Sequence, residues 1–267
     1  MLVQKLFVRK LLVNKIFIYM SLIHKSLHLA ILLLISSQSI AEEIRVAVAS
    51  NFAVVMRTVA AGFEAGTGHK VKLIFGSTGK HYAQIKNGAP FDAFFAADAQ
   101  RPERLEQEGV AVGNSRFTYA IGKVVLWSPR PDYVDPDARV LQQGHFRFLA
   151  IANPRLAPYG QAAQEVLQAR DLWANVSGRL VRGENIAQTF QFVKSGNAEL
   201  GFVAYSQIKR PNAPIEGSYW VVPQVLYTPI RQQAVLLKDN KPARAFLSYV
   251  QSNEALKIIH DYGYETP

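Results

Sequence analysis

The 267-residue sequence contains no cysteine. That absence excludes a disulfide framework, a thiolate metal site and a lipid anchor attached through a lipobox cysteine. Long apolar runs are missing too. The run Leu29–Ile35, LAILLLI, falls well short of the ~20 residues that span a bilayer. No G-x-G-x-x-G marks a dinucleotide fold, and no G-x-S-x-G elbow offers a hydrolytic serine. No Lys/Arg run suggests a nucleic-acid surface, so nucleic acid is not an expected partner.

What is present begins with a leader. Lys5, Arg9, Lys10, Lys15 and Lys25 precede the apolar run with no acid among them, and a small-residue segment ends at Ser39-Ile40-Ala41. A basic start, a short apolar stretch and an A-x-A-like site predict a secretory signal over residues 1–41, cleaved after Ala41. Met20 offers a second start that gives a signal of more usual length. The exported chain, Glu42 to Pro267, is then expected in the periplasm. Half of the formal net charge of +10 belongs to the leader. Export without disulfides suits a chain long enough to bury a real core.

The order of elements comes from periodicity. EIRVAVAS alternates Ile44, Val46 and Val48 as a strand. Phe52, Val55, Met56, Val59, Ala60 and Phe63 then fall on one face of a helix. Lys70–Phe75 is a second strand, followed by a short helix through Tyr82 and Ile85. Phe91–Asp98 is a third strand, and Asp98 can cap the next helix. Strand alternating with helix implies parallel βαβ units. Two long β-rich runs interrupt the pattern, Phe117–Pro129 and Tyr227–Asp239, and read as crossovers between two sheets. The predicted fold is α/β with two lobes. The first lobe is discontinuous, 42–121 plus 230–267, and the second is 122–229. A ligand is expected in the cleft between them.

The turn Gly76-Ser77-Thr78-Gly79-Lys80 looks at first like a nucleotide loop. A Walker A loop needs G-x-x-x-x-G-K-[ST]. Here the glycines stand only three apart, and His81 occupies the magnesium-hydroxyl position. A helix start nonetheless presents free N–H groups and a positive dipole end, to which Ser77 and Thr78 add hydroxyls. Either hydroxyl alone reads as an ordinary cap. Three other strand-to-helix junctions share the design: Ser50-Asn51, Asn153 to Gly160 with the Tyr159 hydroxyl, and Glu184-Asn185-Ile186. Four such junctions converging on one cleft suit a small oxyanion held by neutral donors.

At these junctions the sequence resembles the periplasmic molybdate-binding proteins of ABC importers. The likeness runs through VAVASNFA, FGSTGKHYAQIKNGAPFDAFFAAD, RFTYAIGKVVLWS, IANPRLAPYGQAAQEVL, GENIAQTFQFVKSGNAELGFVA and the ending DYGY. The resemblance implies a two-lobed periplasmic-binding-protein fold. It implies a molybdate or tungstate dianion held by hydroxyls and backbone N–H groups without a cation. Carried over by motif, the oxyanion-binding residues are Ser50, Asn51, Thr78 (with Ser77 as second choice), Tyr159 and the Ile186 amide. There is one departure. Some members place a tyrosine directly after G-[IF]-V. Here Ala204 stands there and Tyr205 is one later, as in the subgroup that uses the APYG tyrosine.

The remaining polar residues read as structural. Lys80 is a solvated helix-face lysine that steers anions. Asp92 and Asp98 are strand-edge and helix-cap residues. His69, His81, His145 and His260 lack metal-ligand spacing and read as surface residues, so no bare metal and no cofactor is expected. The implied partners are a membrane permease and a cytoplasmic ATPase, with the binding protein itself a monomer and not an enzyme. Two alternatives stay open. One is sulfate or phosphate in the same fold, where phosphate would benefit from a carboxylate and Glu184 is the only acid beside a junction. The other is an exported enzyme on a two-lobed scaffold.

Overall fold

In the computed structural model, residues 41–267 are described, together with Met20. The predicted signal segment lies otherwise outside the described residues. Among the described residues no helix is long and apolar enough to cross a membrane.

Among the described residues, ten strands form two five-stranded sheets. The first contains β1 (Glu43–Ala49), β2 (Lys70–Gly76), β3 (Ala93–Phe95), β4 (Phe117–Gly122) and β10 (Ile230–Leu236), in the order β2-β1-β3-β10-β4. The second contains β5 (Val124–Ser128), β6 (Leu149–Ala152), β7 (Leu180–Gly183), β8 (Leu200–Ala204) and β9 (Ser218–Val221), in the order β7-β6-β8-β5-β9. The two sheets share one plan. A parallel trio, β2-β1-β3 or β7-β6-β8, is followed by an antiparallel strand that arrives from elsewhere in the chain.

The alternation of β1 sends Ile44, Val46 and Val48 inward against the helix Ala53–Thr67, whose Val55, Met56, Val59 and Phe63 are buried. The C-terminal helices Lys241–Val250 and Asn253–Asp261 close the same core through Phe246, Val250 and Ile259. A second core fills the other half, where Leu149, Ile151, Val166 and Phe202 pack together. Burial at this scale, about 1.5–3 kcal/mol for each large apolar side chain, is what a chain without disulfides must rely on.

The first crossover lies where the sequence puts it. β4 ends at Gly122 in the first sheet, and β5 starts at Val124 in the second. The second is displaced. β10 lies wholly in the first sheet, and the chain passes between sheets over residues 222–229, ahead of most of the run read as the crossover. The sequence reading also missed β9, because its SYWV run between Gly217 and Val222-Pro223 is only four residues long and the exposed Tyr219 and Val221 are as apolar as the buried Trp220 between them.

Four parallel strands end at Ala49, Gly76, Ala152 and Gly183, and each feeds a helix start. Ligands of open α/β sheets bind beyond the carboxyl ends of such strands. The topology therefore aims all four junctions at one place.

Candidate functional site

Ser50, Asn51, Ser77, Thr78, Tyr159 and Ile186 line one small pocket, together with Gly76, Ala97, Ala157, Pro158 and Asn185. The free volume among them is about 10 Å³, roughly the room for one particle of water size. Neither an acid nor a base is in the lining. All six predicted residues are buried, Thr78 and Tyr159 to 1% exposure and Ser77 to 3%.

Each helix start contributes differently. Ser77 precedes the helix Thr78–Lys86 in extended backbone, yet its side chain makes no capping bond. Its Oγ is buried without a partner. The Oγ1 of Thr78 accepts the Ala97 backbone N–H at 3.0 Å, which leaves the hydroxyl proton to donate elsewhere. At the helix Ile186–Lys194, Asn185 Oδ1 accepts from the N–H groups of Ala187 and Gln188, both at 3.0 Å. That cap leaves aside the Ile186 N–H at the first helical position. The helix Pro158–Ala169 starts without a side-chain cap, and its proline has no N–H to give.

Asn51 is placed differently from a simple donor. Its Nδ2 donates to Gln232 Oε1 at 2.6 Å and to Tyr264 Oη at 2.9 Å. Tyr264 donates back to the Asn51 carbonyl at 3.1 Å, and Ser206 Oγ donates to Tyr264 Oη at 2.8 Å. The side chain thus faces a buried network behind the pocket, and its backbone amide is what it can turn toward a ligand. Sequence reasoning missed Gln232, Tyr264 and Ser206. Only the ending DYGY gave a signal for any of them.

Tyr159 reaches from the pocket to the crossover. A Cβ added to Gly122 would stand 2.1 Å from its Oη. The hydroxyl is buried without a well-formed hydrogen bond, the Tyr264 hydroxyl lying beside it. Burial raises its pKa well above the usual tyrosine value, and the nearby Tyr264 and Tyr119 add to the effect, so it stays a neutral donor.

Lys80 is not simply solvated. Its Nζ meets Glu184 Oε1 at 2.8 Å, joining the two halves of the chain at the pocket rim. Glu184, the acid that left a phosphate reading open, is outside the lining. His81 corrects an expectation as well. It is 2% exposed, edge-on to Phe91 and Phe94, with its ring against Gly76. Its side chain falls on the inner face of a helix too short for periodicity to reveal which face that is. Asp98 does cap, accepting the Arg101 N–H at 3.1 Å, and it is ion-paired with the Arg101 guanidinium. Among the described residues, no cluster of histidines and acids is suited to a metal ion.

The family model for bacterial extracellular solute-binding proteins matches residues 44–265. The chain belongs to that family. Among relatives of this solute-binding protein is the molybdate-binding protein ModA of Azotobacter vinelandii, 52% identical over 84% of this chain and 90% of the relative. ModA of Rhodobacter capsulatus is 45% identical over 89% of this chain and 94% of its own. The solved structure of the Azotobacter vinelandii periplasmic molybdate-binding protein superposes with a TM-score of 0.82 at 42% identity. That match covers 84% of this solute-binding protein and 99% of the solved chain. The two-lobed α/β binding-protein fold is thereby established.

Proposed function

We propose that this solute-binding protein is the extracytoplasmic component of an ABC importer for molybdate or tungstate, holding one tetrahedral dianion between its lobes. The observation that carries the reading is the donor set. Ser77 Oγ and Tyr159 Oη are buried without acceptors in a pocket that has no charged side chain. A buried donor left unpaired costs about 1–3 kcal/mol, and a hydrogen bond to a charged group contributes about 1.5–3 kcal/mol. A fully deprotonated oxyanion fits both groups. The relatives named for molybdate support the same solute.

The assignment of groups follows the geometry. Ser77 and Tyr159 give their hydroxyls, Ser50 and Thr78 give theirs in addition, and the amides of Asn51 and Ile186 complete the ring. Ser77 joins Thr78 with equal weight: its Oγ is unpartnered, while Thr78 Oγ1 accepts from Ala97 and keeps its proton to donate. Four helix starts add positive dipole ends without a fixed cation. The lobes are 42–121 with 230–267 and 122–229, a division supported by the membership of the two sheets. Binding closes the lobes about Lys123 and residues 222–229. The importer supplies the permease and the ATPase, and the binding protein acts as a monomer in the periplasm without a cofactor.

The pocket disfavours phosphate, since no carboxylate lines it to accept a proton. An enzymatic role has no support either. Ser50 Oγ meets only the Ala187 N–H at 3.4 Å, and Ser77 Oγ makes no hydrogen bond to any base, the His81 ring lying against Gly76 instead. Calorimetric titration with molybdate, tungstate, sulfate and phosphate tests the reading. Tight binding of the first two, lost in Ser77→Ala, is expected. Heat from sulfate or phosphate alone overturns it.

A further inference from the structure

Three contacts cross the rim of the pocket beside Thr78. Lys80 Nζ donates to Glu184 at 2.8 Å, the Gly79 N–H donates to the Leu156 carbonyl at 2.8 Å, and Arg101 Nη2 donates to the Arg155 carbonyl at 3.2 Å. All three run the same way. The donors stand on elements that follow strands of the first sheet, and the acceptors stand beside the helix starts of the second. Gly79 is held closely enough that a Cβ there would sit 3.1 Å from Leu156 Cα and 3.1 Å from its carbonyl oxygen. On the side beside Thr78 the rim thus takes its donors from one half and its acceptors from the other, whereas at Ser50 the Ala187 N–H donates the other way.

Lys80 and Glu184 are the charged members that reach solvent, with side chains 53% and 47% exposed. Lys80 is two residues beyond Thr78, and Glu184 is two residues before Ile186. Each therefore flanks a group of the pocket without lining it. We infer that Lys80 and Glu184 are further functional residues of anion binding, positioning residues that clasp the rim and set the rates of capture and release. The inference rests on the oxyanion reading of the pocket. Its logic is electrostatic. Before the rim closes, the ammonium attracts an incoming dianion and the carboxylate repels it, each acting over a Debye length of about 8 Å. Once paired, the two charges cancel, and the bound anion is left to its neutral donors. The partners must then act in opposite senses on capture and in the same sense on release.

Stopped-flow binding of molybdate to the purified protein, at low and high salt, tests this. Lys80→Gln is expected to slow association at low salt, and Glu184→Gln to speed it, with both effects fading at high salt. Each substitution is expected to raise the dissociation rate by about two- to fivefold, the range of an exposed ion pair. The double variant should release no faster than either single one. The exchanged pair, Lys80→Glu with Glu184→Lys, should restore slow release. Dissociation rates that stay unchanged, that move in opposite directions, or that multiply in the double variant would overturn the clasp. If the wild-type protein gives no signal with molybdate, the oxyanion reading fails. The clasp is then judged by the thermal double-mutant cycle between positions 80 and 184, where additive effects reject it and coupling retains it.

Discussion

Replacing Tyr159 by phenylalanine separates two roles that usually travel together. The ring is 1% exposed and packs in the core of the second half, so its bulk must be kept. The hydroxyl makes no hydrogen bond of good geometry in the protein, with only the Tyr264 hydroxyl close beside it. Without ligand, removing a buried unpaired hydroxyl relieves a penalty of about 1–3 kcal/mol. For a chain of this size each 1 kcal/mol shifts Tm by roughly 2–4 °C. The unliganded variant is therefore expected to melt at the same temperature as the wild type or several degrees higher. With ligand the sign reverses. Losing one hydrogen bond to a charged group, about 1.5–3 kcal/mol, weakens binding by about 10- to 150-fold. At an anion concentration 100 times the wild-type Kd, the wild type gains about 2.7 kcal/mol of stability. A variant weakened 100-fold gains only about 0.4 kcal/mol at the same concentration. Calorimetry and thermal melts with and without molybdate read both halves. Unchanged affinity would refute the placement of the hydroxyl in the anion site. A lower melting temperature without ligand would refute its being unpaired.

Three further outcomes follow from the same geometry. Gly122→Ala places a methyl group 2.1 Å from Tyr159 Oη, so it should cost about 1–3 kcal/mol in melting and also weaken anion binding, whereas Gly113→Ala, with open space around it, should do neither. Thr78→Ala strips the acceptor from the buried Ala97 N–H and should destabilise the unliganded protein by about 1–3 kcal/mol, while Thr78→Ser should keep most of that loss at bay. Burial lowers the His81 pKa below its ordinary 6.5, outweighing the acceptor oxygens of Gln84 and the Val48 backbone that raise it. A base held neutral in the fold contributes fully above 6.5 and loses its contribution as pH falls through the lowered value. Melts between pH 8 and pH 5 should fall with acid, and His81→Gln should flatten that slope.

Much of this protein was legible in its residues alone. Strand ends followed by hydroxyls and helix starts, at Ser50, Ser77, Tyr159 and Ile186, are local patterns. They are set by capping chemistry and periodicity within a few residues, and they identified the groups of the pocket. The switch of sheet at Lys123 was readable because a strand too long for one sheet must leave it. Three things were decided only by the tertiary structure. That Thr78 Oγ1 is taken up as an acceptor, with only its proton left to give, depends on Ala97, nineteen residues away. The fate of the Asn51 side chain depends on Gln232 and Tyr264, which return from the far end of the chain. The role of Lys80 depends on Glu184 across the rim. Hydrogen bonds and ion pairs are short-range, so partners this distant in sequence meet only once the chain has folded, Ala97, Gln232 and Tyr264 within the first lobe and Glu184 across the rim. The sequence thus determined what the pocket is made of, and tertiary contacts, most of them within the first lobe, decided which of those groups remain free to bind.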